Sequence, residues 1–456
     1  MDPSTVRVIS ECFVKPQDVS EESKQPFYLT QWDLGMLSAH YIQKGLLYAK
    51  PPPEDCGENL INNILERLRT SLSVALFHFY PLAGRLATRK EESPPSYAVF
   101  VDCNNSPGAK FIHAAADISV SDIVSPTYVP LVVQSFFDHD RAINYDGQTR
   151  PLLSIQATEL VDGVFIGCSM NHSVGDGTSF WHFFNTLSEI FQSQDGNIKI
   201  SRPPVFERWF PEGYGPLLKL PFTHEDEFIS RYETPQLLER IFHFSTESIA
   251  KLKERANTEY KTTKISSFQS LSAFVWRAIT RARRFPSEML TGCRLAINNR
   301  SRLEPPLSPD YFGNSIHTVR AVTTGGELLE HDLGWAAWKL HQAVANHTDK
   351  SVRDFVNDWV RSPYVYQISQ LLDPPQIVMM GSSPRFNKYG NEFGLGKALT
   401  LRSGYAHKFD GKVSSYPGRE GGASIDLEVC LPPCSIKALE SDEEFMASVS
   451  LLSSPM

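Results

Sequence analysis

His172 and Asp176 are the residues of this chain whose types and spacing are best fitted to chemistry. They stand in His172-Ser173-Val174-Gly175-Asp176-Gly177, a histidine and a carboxylate four positions apart across a glycine turn. Imidazole has the ordinary side-chain pKa nearest neutrality. His172 is therefore suited to take a proton from an acceptor hydroxyl as that oxygen attacks a thioester carbonyl. Holding acceptor, thioester and base together in one channel supplies a proximity effect of up to roughly 7–11 kcal/mol. Asp176 is expected to pin the loop by pairing with a cation rather than to touch the imidazole. Gly175 and Gly177 are expected to supply backbone angles that other residues resist. Alone, His-x-x-x-Asp is a weak pattern that an ordinary surface or core histidine also satisfies, so its meaning depends on distant segments.

The elements around His172 explain how it could be positioned. Two apolar, β-rich runs, 152–159 and 164–170, are joined by Asp162-Gly163, a hairpin signal. The second run stops at Asn171-His172, and a helical pattern follows over 178–191. A catalytic group in a loop held between a strand and a helix is a common arrangement. Residues 58–77 carry apolar side chains at i, i+3, i+4 and i+7, predicting a helix that Pro81 and Gly84 end. Strands are expected at 6–14, 97–102, 294–299, 376–380 and 424–431. Helices are expected at 266–284, over most of 335–359 and at 441–449, with a strand leading into a helix over 243–255. Residues 34–47 read as extended or irregular, and Asp138-His139-Asp140 as a solvated loop. The phenylalanines of Phe180-Trp181-His182-Phe183-Phe184 read as helix core. His182 has no third ligand near it in sequence, so no metal is expected.

The stretch 195–222 is rich in Pro and Gly and is the candidate crossover between two halves. The expected organisation is a first domain at 1–195, a linker at 196–225 and a second domain at 226–456. A chain of 456 residues exceeds what one compact core usually holds. The net charge of −8 disfavours nucleic acid as a partner, while a small polyanion needs only a few local cations. No apolar run is long enough to span a membrane, and the first residues lack a basic segment followed by an apolar one. Seven scattered cysteines show neither metal spacing nor a disulfide framework. A monomer in the reducing cytoplasm is the expected state.

Several separated motifs then agree. The His172 to Gly177 segment, Tyr80-Pro81-Leu82-Ala83-Gly84-Arg85, Asn299-Arg300-Ser301-Arg302, Tyr311-Phe312-Gly313-Asn314 and Asn391-Glu392-Phe393-Gly394-Leu395-Gly396-Lys397 occur in an order that resembles the plant BAHD acyltransferase family. The resemblance covers essentially the whole chain. It implies an α/β fold, α+β mixed, of two chloramphenicol-acetyltransferase-like domains with a central solvent channel. His172 would be the general base in direct transfer from acyl-CoA, a co-substrate rather than a tightly bound cofactor, to a small-molecule alcohol or amine. The absence of a Gly-x-Ser-x-Gly elbow agrees with there being no acyl-enzyme. Asp176 would pair with Arg300, preferred to Arg302 because it directly follows Asn299, and Gly177 would complete the site. Coenzyme A contacts are expected at Lys264, Ser266 and Ser267, before a helix start, and at Glu392, Phe393, Gly394 and Gly396. Glu392 stands where the family has Asp and Leu395 where it has Trp, changes expected to bear on donor affinity rather than on catalysis. No basic cluster obviously favours a malonyl carboxylate. Acetyl is the default donor and a hydroxyl of a specialised plant metabolite the leading acceptor. N-acylation, or a lyase reaction on the same fold without coenzyme A, are the alternatives.

Overall fold

The structure, a computed structural model, describes residues 5–52, 59–104, 107–193, 199–371 and 376–450. The expected helix start at 58 and the expected domain boundary at 195–196 lie outside those residues.

Two six-stranded sheets dominate. The first runs in the order Arg7–Val14, Ala109–Ala115, Leu153–Glu159, Gly163–Met170, Ile42–Ala49, Thr400–Ser403. The second runs Ile316–Thr324, Leu290–Asn298, Gln376–Gly381, Lys412–Pro417, Ile425–Leu431, Leu238–Phe244. Each mixes parallel and antiparallel pairs. A smaller three-stranded sheet flanks the first. The hairpin predicted at Asp162-Gly163 forms, pairing Glu159 with Val164 and Leu153 with Met170. Every residue of Gly163–Met170 is buried, as a near-continuous apolar run requires of a strand covered on both faces.

Helices Leu60–His78 and Gly177–Gln192 cover the first sheet. Leu68, Leu72 and Leu76 of one, and Phe180, Phe183 and Leu187 of the other, enter one core with Ile155 and Ile166. Ser267–Arg283, Thr246–Glu259 and Leu333–Ala345 cover the second sheet around Phe274, Ile279 and Leu340. Both halves thus bury one face of a mixed sheet under an amphipathic helix layer, the two-layer solution expected of a sheet and helices with one apolar face each.

Residues 34–47 are in part irregular and in part extended, as read: after a short helix Gln31–Leu34 the chain turns, and strand Ile42–Ala49 follows, its apolar side chains packing on the first core. The loop at Asp138-His139-Asp140 is not solvated throughout. His139 is buried with φ 65, and the Asp138 carbonyl accepts from Gln43 Nε2 at 2.9 Å and Ser169 Oγ at 3.0 Å. Thr400–Ser403, late in the chain, pairs with Lys44–Leu47 of the first sheet. The loop ahead of it sends Phe393 into the first core, against Tyr48, Phe184 and Phe191.

Candidate active site

The strand Gly163–Met170 ends at Asn171, and the backbone there is fixed by side-chain amides. Asn171 donates to the Asn144 carbonyl at 2.8 Å, and Asn144 Oδ1 accepts the His172 N–H at 2.7 Å. From the second half, Asn314 Nδ2 donates to the His172 carbonyl at 2.7 Å. His172 is clamped at both of its backbone polar groups while its ring borders a cavity.

Asp176 is fully buried and caps the helix Gly177–Gln192, accepting from the N–H groups of Thr178 at 2.9 Å and Ser179 at 3.0 Å. Arg300 donates to both its oxygens, at 2.7 and 3.1 Å, and the Ser315 N–H adds 3.0 Å. The remaining Arg300 donors reach the carbonyls of Tyr311 and Gly313. Burial alone would raise the Asp176 pKa, but Arg300 and the backbone donors outweigh it and hold the carboxyl below its ordinary range. Such a pair is stable because no lone pair or N–H is left bare. Arg302 turns elsewhere, to the Val344 and His347 carbonyls.

A second buried pair lies beside the first. Asp33 pairs with Arg208 and accepts from both the backbone N–H and the side chain of Asn314, each at 2.9 Å. The segment Tyr311 to Ser315 is therefore the seam on which both pairs and the His172 clamp converge. Gly313 sits there at φ 151, where a Cβ would stand 2.3 Å from Arg208 Nη1. The glycines of the signature act differently from expectation. Neither Gly175 nor Gly177 is among the positive-φ glycines. Gly175 is required by closeness, since a Cβ would meet the Ser179 Cβ at 2.8 Å, whereas Gly177 has ordinary room beside Phe386 at 3.4 Å.

The cavity has a volume of about 370 Å³ and draws its wall from both halves. His172, Gly177 and Trp181 come from the first, and Asn298, Met379 and His407 from the second. Phe180 and Trp181 are buried as predicted, but they also form part of this wall. His407, unforeseen in the sequence, packs edge-on against His172 with centroids 5.6 Å apart and rings at 81°. His40 also packs edge-on against His407, and its Nδ1 accepts the His407 backbone N–H at 3.3 Å. His407 holds a left-handed backbone, φ 60, unusual for a residue with a Cβ. Burial lowers the pKa of His172 below its ordinary 6.5; its own carbonyl and Asp176 oppose that, and Lys412 adds to it. The ring is thus held neutral near pH 7, the form a base requires.

The cavity wall also carries Lys44, Lys408 and Lys412. Lys408 bridges Glu239 and Glu428, at 2.6 Å each. Glu239, Glu428 and Cys430 are the one grouping of metal-ligand type among the described residues, and this ammonium already supplies its positive charge.

The expected coenzyme A residues lie elsewhere. Ser266 caps the helix Ser267–Arg283, its hydroxyl accepting the Gln269 N–H, and Lys264 is exposed beside it. Glu392 is exposed, with Ser188 Oγ bonding both its N–H and its carbonyl. Gly394 and Gly396 adopt φ 76 and 73 around the half-buried Leu395. Lys264, Ser266, Ser267, Glu392, Phe393, Gly394 and Gly396 are all absent from the cavity wall.

Two α/β halves, each a mixed sheet under helices, meet at a cavity that His172 borders, and solved structures share this fold. Vinorine synthase superposes with a TM-score of 0.74 at 19% identity, over 98% of this chain and 99% of that one. TRI101 of F. sporotrichioides, complexed with coenzyme A and T-2, gives 0.72 at 17% identity over 93% and 98%. An uncharacterized acetyltransferase of Arabidopsis thaliana is 36% identical over 97% of this chain and 98% of its own length. The BAHD acyltransferase DCR of the same plant is 35% identical over 97% and 93%. Residues 4–446 match the Transferase family. The chain belongs to that family, in its plant BAHD branch, and is an acyl-CoA-dependent acyltransferase.

Proposed function

We propose that the enzyme transfers an acyl group, acetyl by default, from coenzyme A to a hydroxyl of a specialised plant metabolite, with His172 as general base. The observation that carries this reading is the His172 ring itself: clamped through its backbone from both halves, it borders a cavity walled by both. With Nδ1 buried, Nε2 is the nitrogen available to the nucleophile. It accepts the hydroxyl proton as the oxygen bonds to the thioester carbonyl carbon. When the tetrahedral adduct collapses, the carbon–sulfur bond breaks and the imidazolium returns the proton to the departing thiolate. Acceptor and acyl-CoA are bound together, without an acyl-enzyme. Asp176 and Arg300 act by holding the loop, since every oxygen of Asp176 is engaged away from the imidazole. An amine acceptor would use the same base.

The first half, through 195, and the second, from 226, would each contribute one wall, with 196–225 as the connection. Lys264, Ser266 and Ser267, at the N-terminus of the 17-residue helix Ser267–Arg283, are the proposed contacts for coenzyme A phosphates. The loop from Glu392 to Gly396 would shape that face through its packing. No helix among the described residues is long and apolar enough to cross a membrane, and a cytoplasmic monomer is proposed.

A matrix of acyl-CoA donors against hydroxyl and amine acceptors, read by mass spectrometry, tests the reading. Product formation should require acyl-CoA and collapse in His172→Ala. Turnover without coenzyme A would favour a lyase, and an undiminished rate in His172→Ala would remove the mechanism.

A further inference from the structure

Four lysines are gathered inside a protein of net charge −8. Lys44 lies on Ile42–Ala49, Lys412 on Lys412–Pro417, Lys408 just before that strand and Lys388 in the loop after Gln376–Gly381. Each acts electrostatically on at least one of the others. Two carboxylates, Glu239 and Glu428, lie in the same cluster, and both are taken by Lys408. Lys388 is sealed in, donating to Ser382 Oγ and the Ser415 carbonyl and resting 4.4 Å above the Tyr416 ring.

Lys44 and Lys412 differ from those two. Both are only half-buried, and the surface they keep faces the cavity that His172 borders. Lys44 has the Tyr416 hydroxyl at 2.8 Å as its polar partner. Lys412 lies against Gly381, where a Cβ would stand 2.1 Å from Nζ, so the absence of a side chain there makes space for the ammonium. Among the described residues no carboxylate lies within ion-pair distance of Lys44 or Lys412. Glu428 acts on both ammonium groups through space but is ion-paired to Lys408. Gathering four ammonium groups around two carboxylates that Lys408 already holds leaves positive charge in excess in a desolvated chamber, which is costly. That cost is recovered when a ligand brings a further anion to make strong charge-assisted hydrogen bonds.

We propose that the substrate presents a carboxylate to the ammonium groups of Lys44 and Lys412. This rests on the reading of the cavity as the reaction chamber. The phosphates of coenzyme A are poor candidates for the role, because they lie at the opposite end of the pantetheine arm from the reacting thioester. The carboxylate therefore belongs either to the acyl group or to the acceptor. Burial, with repulsion from Lys408 and against the pull of Glu428, lowers the pKa of both groups to about 8.

The test pairs acetyl-CoA and malonyl-CoA with a panel of hydroxy and amino acids and with the methyl esters of the same compounds. Wild-type kcat/KM should favour the acids over their esters if the acceptor carries the charge, or malonyl-CoA over acetyl-CoA if the acyl group does. In Lys412→Met that preference should fall by roughly 10–100-fold, the worth of a buried charge-assisted contact. Lys412→Arg should retain most of it, and Lys44→Met serves if Lys412→Met does not fold. A parallel thermal-shift series on the full chain should show, in the wild type and not in Lys412→Met, a larger rise in melting temperature with the acids than with their esters if the acceptor carries the charge, or with malonyl-CoA than with acetyl-CoA if the acyl group does. Acid protection without any acyl transfer would sink the proposed reaction and leave the carboxylate site standing. Equal treatment of acids and esters in both series, and of the two donors, would overturn the carboxylate site, whatever the reaction.

Discussion

Two regions of this enzyme bury charge, and they do so in opposite ways. Along the seam from Tyr311 to Ser315, Asp176 meets Arg300 and Asp33 meets Arg208, each carboxylate also collecting backbone or amide donors. On the cavity wall, Lys44 and Lys412 face open space with no carboxylate within ion-pair distance among the described residues, and Glu428, which acts on both from further off, is ion-paired to Lys408. A closed set of partners marks groups that hold the structure together; an open one marks groups that wait for something to arrive. His172 stands where the two regions meet. Its backbone belongs to the seam and its ring to the cavity.

The sharpest way to separate these roles is His172→Ala. It should lose about 10²- to 10⁴-fold in kcat with a much smaller change in the urea unfolding midpoint, because Asn144 and Asn314 keep their bonds to its backbone N–H and carbonyl. Arg300→Met should do the reverse in kind. It strands a fully buried carboxylate and should cost about 3–5 kcal/mol in unfolding free energy, read from equilibrium denaturation. A stability loss from His172→Ala comparable to that from Arg300→Met would erase the distinction. Gly313→Ala, which drives a methyl toward the Arg208 guanidinium, should cost about 1–3 kcal/mol. Asn314→Leu removes the donor to the His172 carbonyl and to Asp33, and should combine a loss of about 1–3 kcal/mol with a lowered kcat.

The smallest effect concerns pH. In the proposed mechanism His172 works as the neutral imidazole, and its pKa lies below 6.5 through burial and the Lys412 charge, against the opposing pull of Asp176. The acid limb of kcat/KM should accordingly fall below pH 6.5, with activity retained as pH drops through that value and lost lower down. Lys412→Met takes away one charge that disfavours the imidazolium, so the limb should move to higher pH. A limb above 6.5 in the wild type would contradict the geometry around the ring.

What the sequence made legible was whatever is local or strongly periodic. The helix Leu60–His78 announced itself through its leucine spacing, and the hairpin before His172 through Asp162-Gly163. The pairing of Asp176 with Arg300 could be anticipated from the motif order, and the two side chains meet as anticipated. The lysine wall could not be seen in this way. Lys44, Lys388, Lys408 and Lys412 stand on separate strands and loops, and a single lysine in a sequence reads as a solvated charge. Only the folding of both sheets around one cavity brings them together. His407 was hidden for a related reason: it lies in a turn without periodicity, and its left-handed backbone is a property of the assembled loop. Thr400–Ser403 was missed because four residues are too few to show alternation.

That short strand has a mechanical consequence. By entering the sheet of the opposite half, it straps the two lobes together, with Phe393 as a rivet beside it. The lobes cannot swing apart to admit a reactant without tearing out a row of sheet bonds. A nick in the polypeptide between the lobes would therefore leave them fastened.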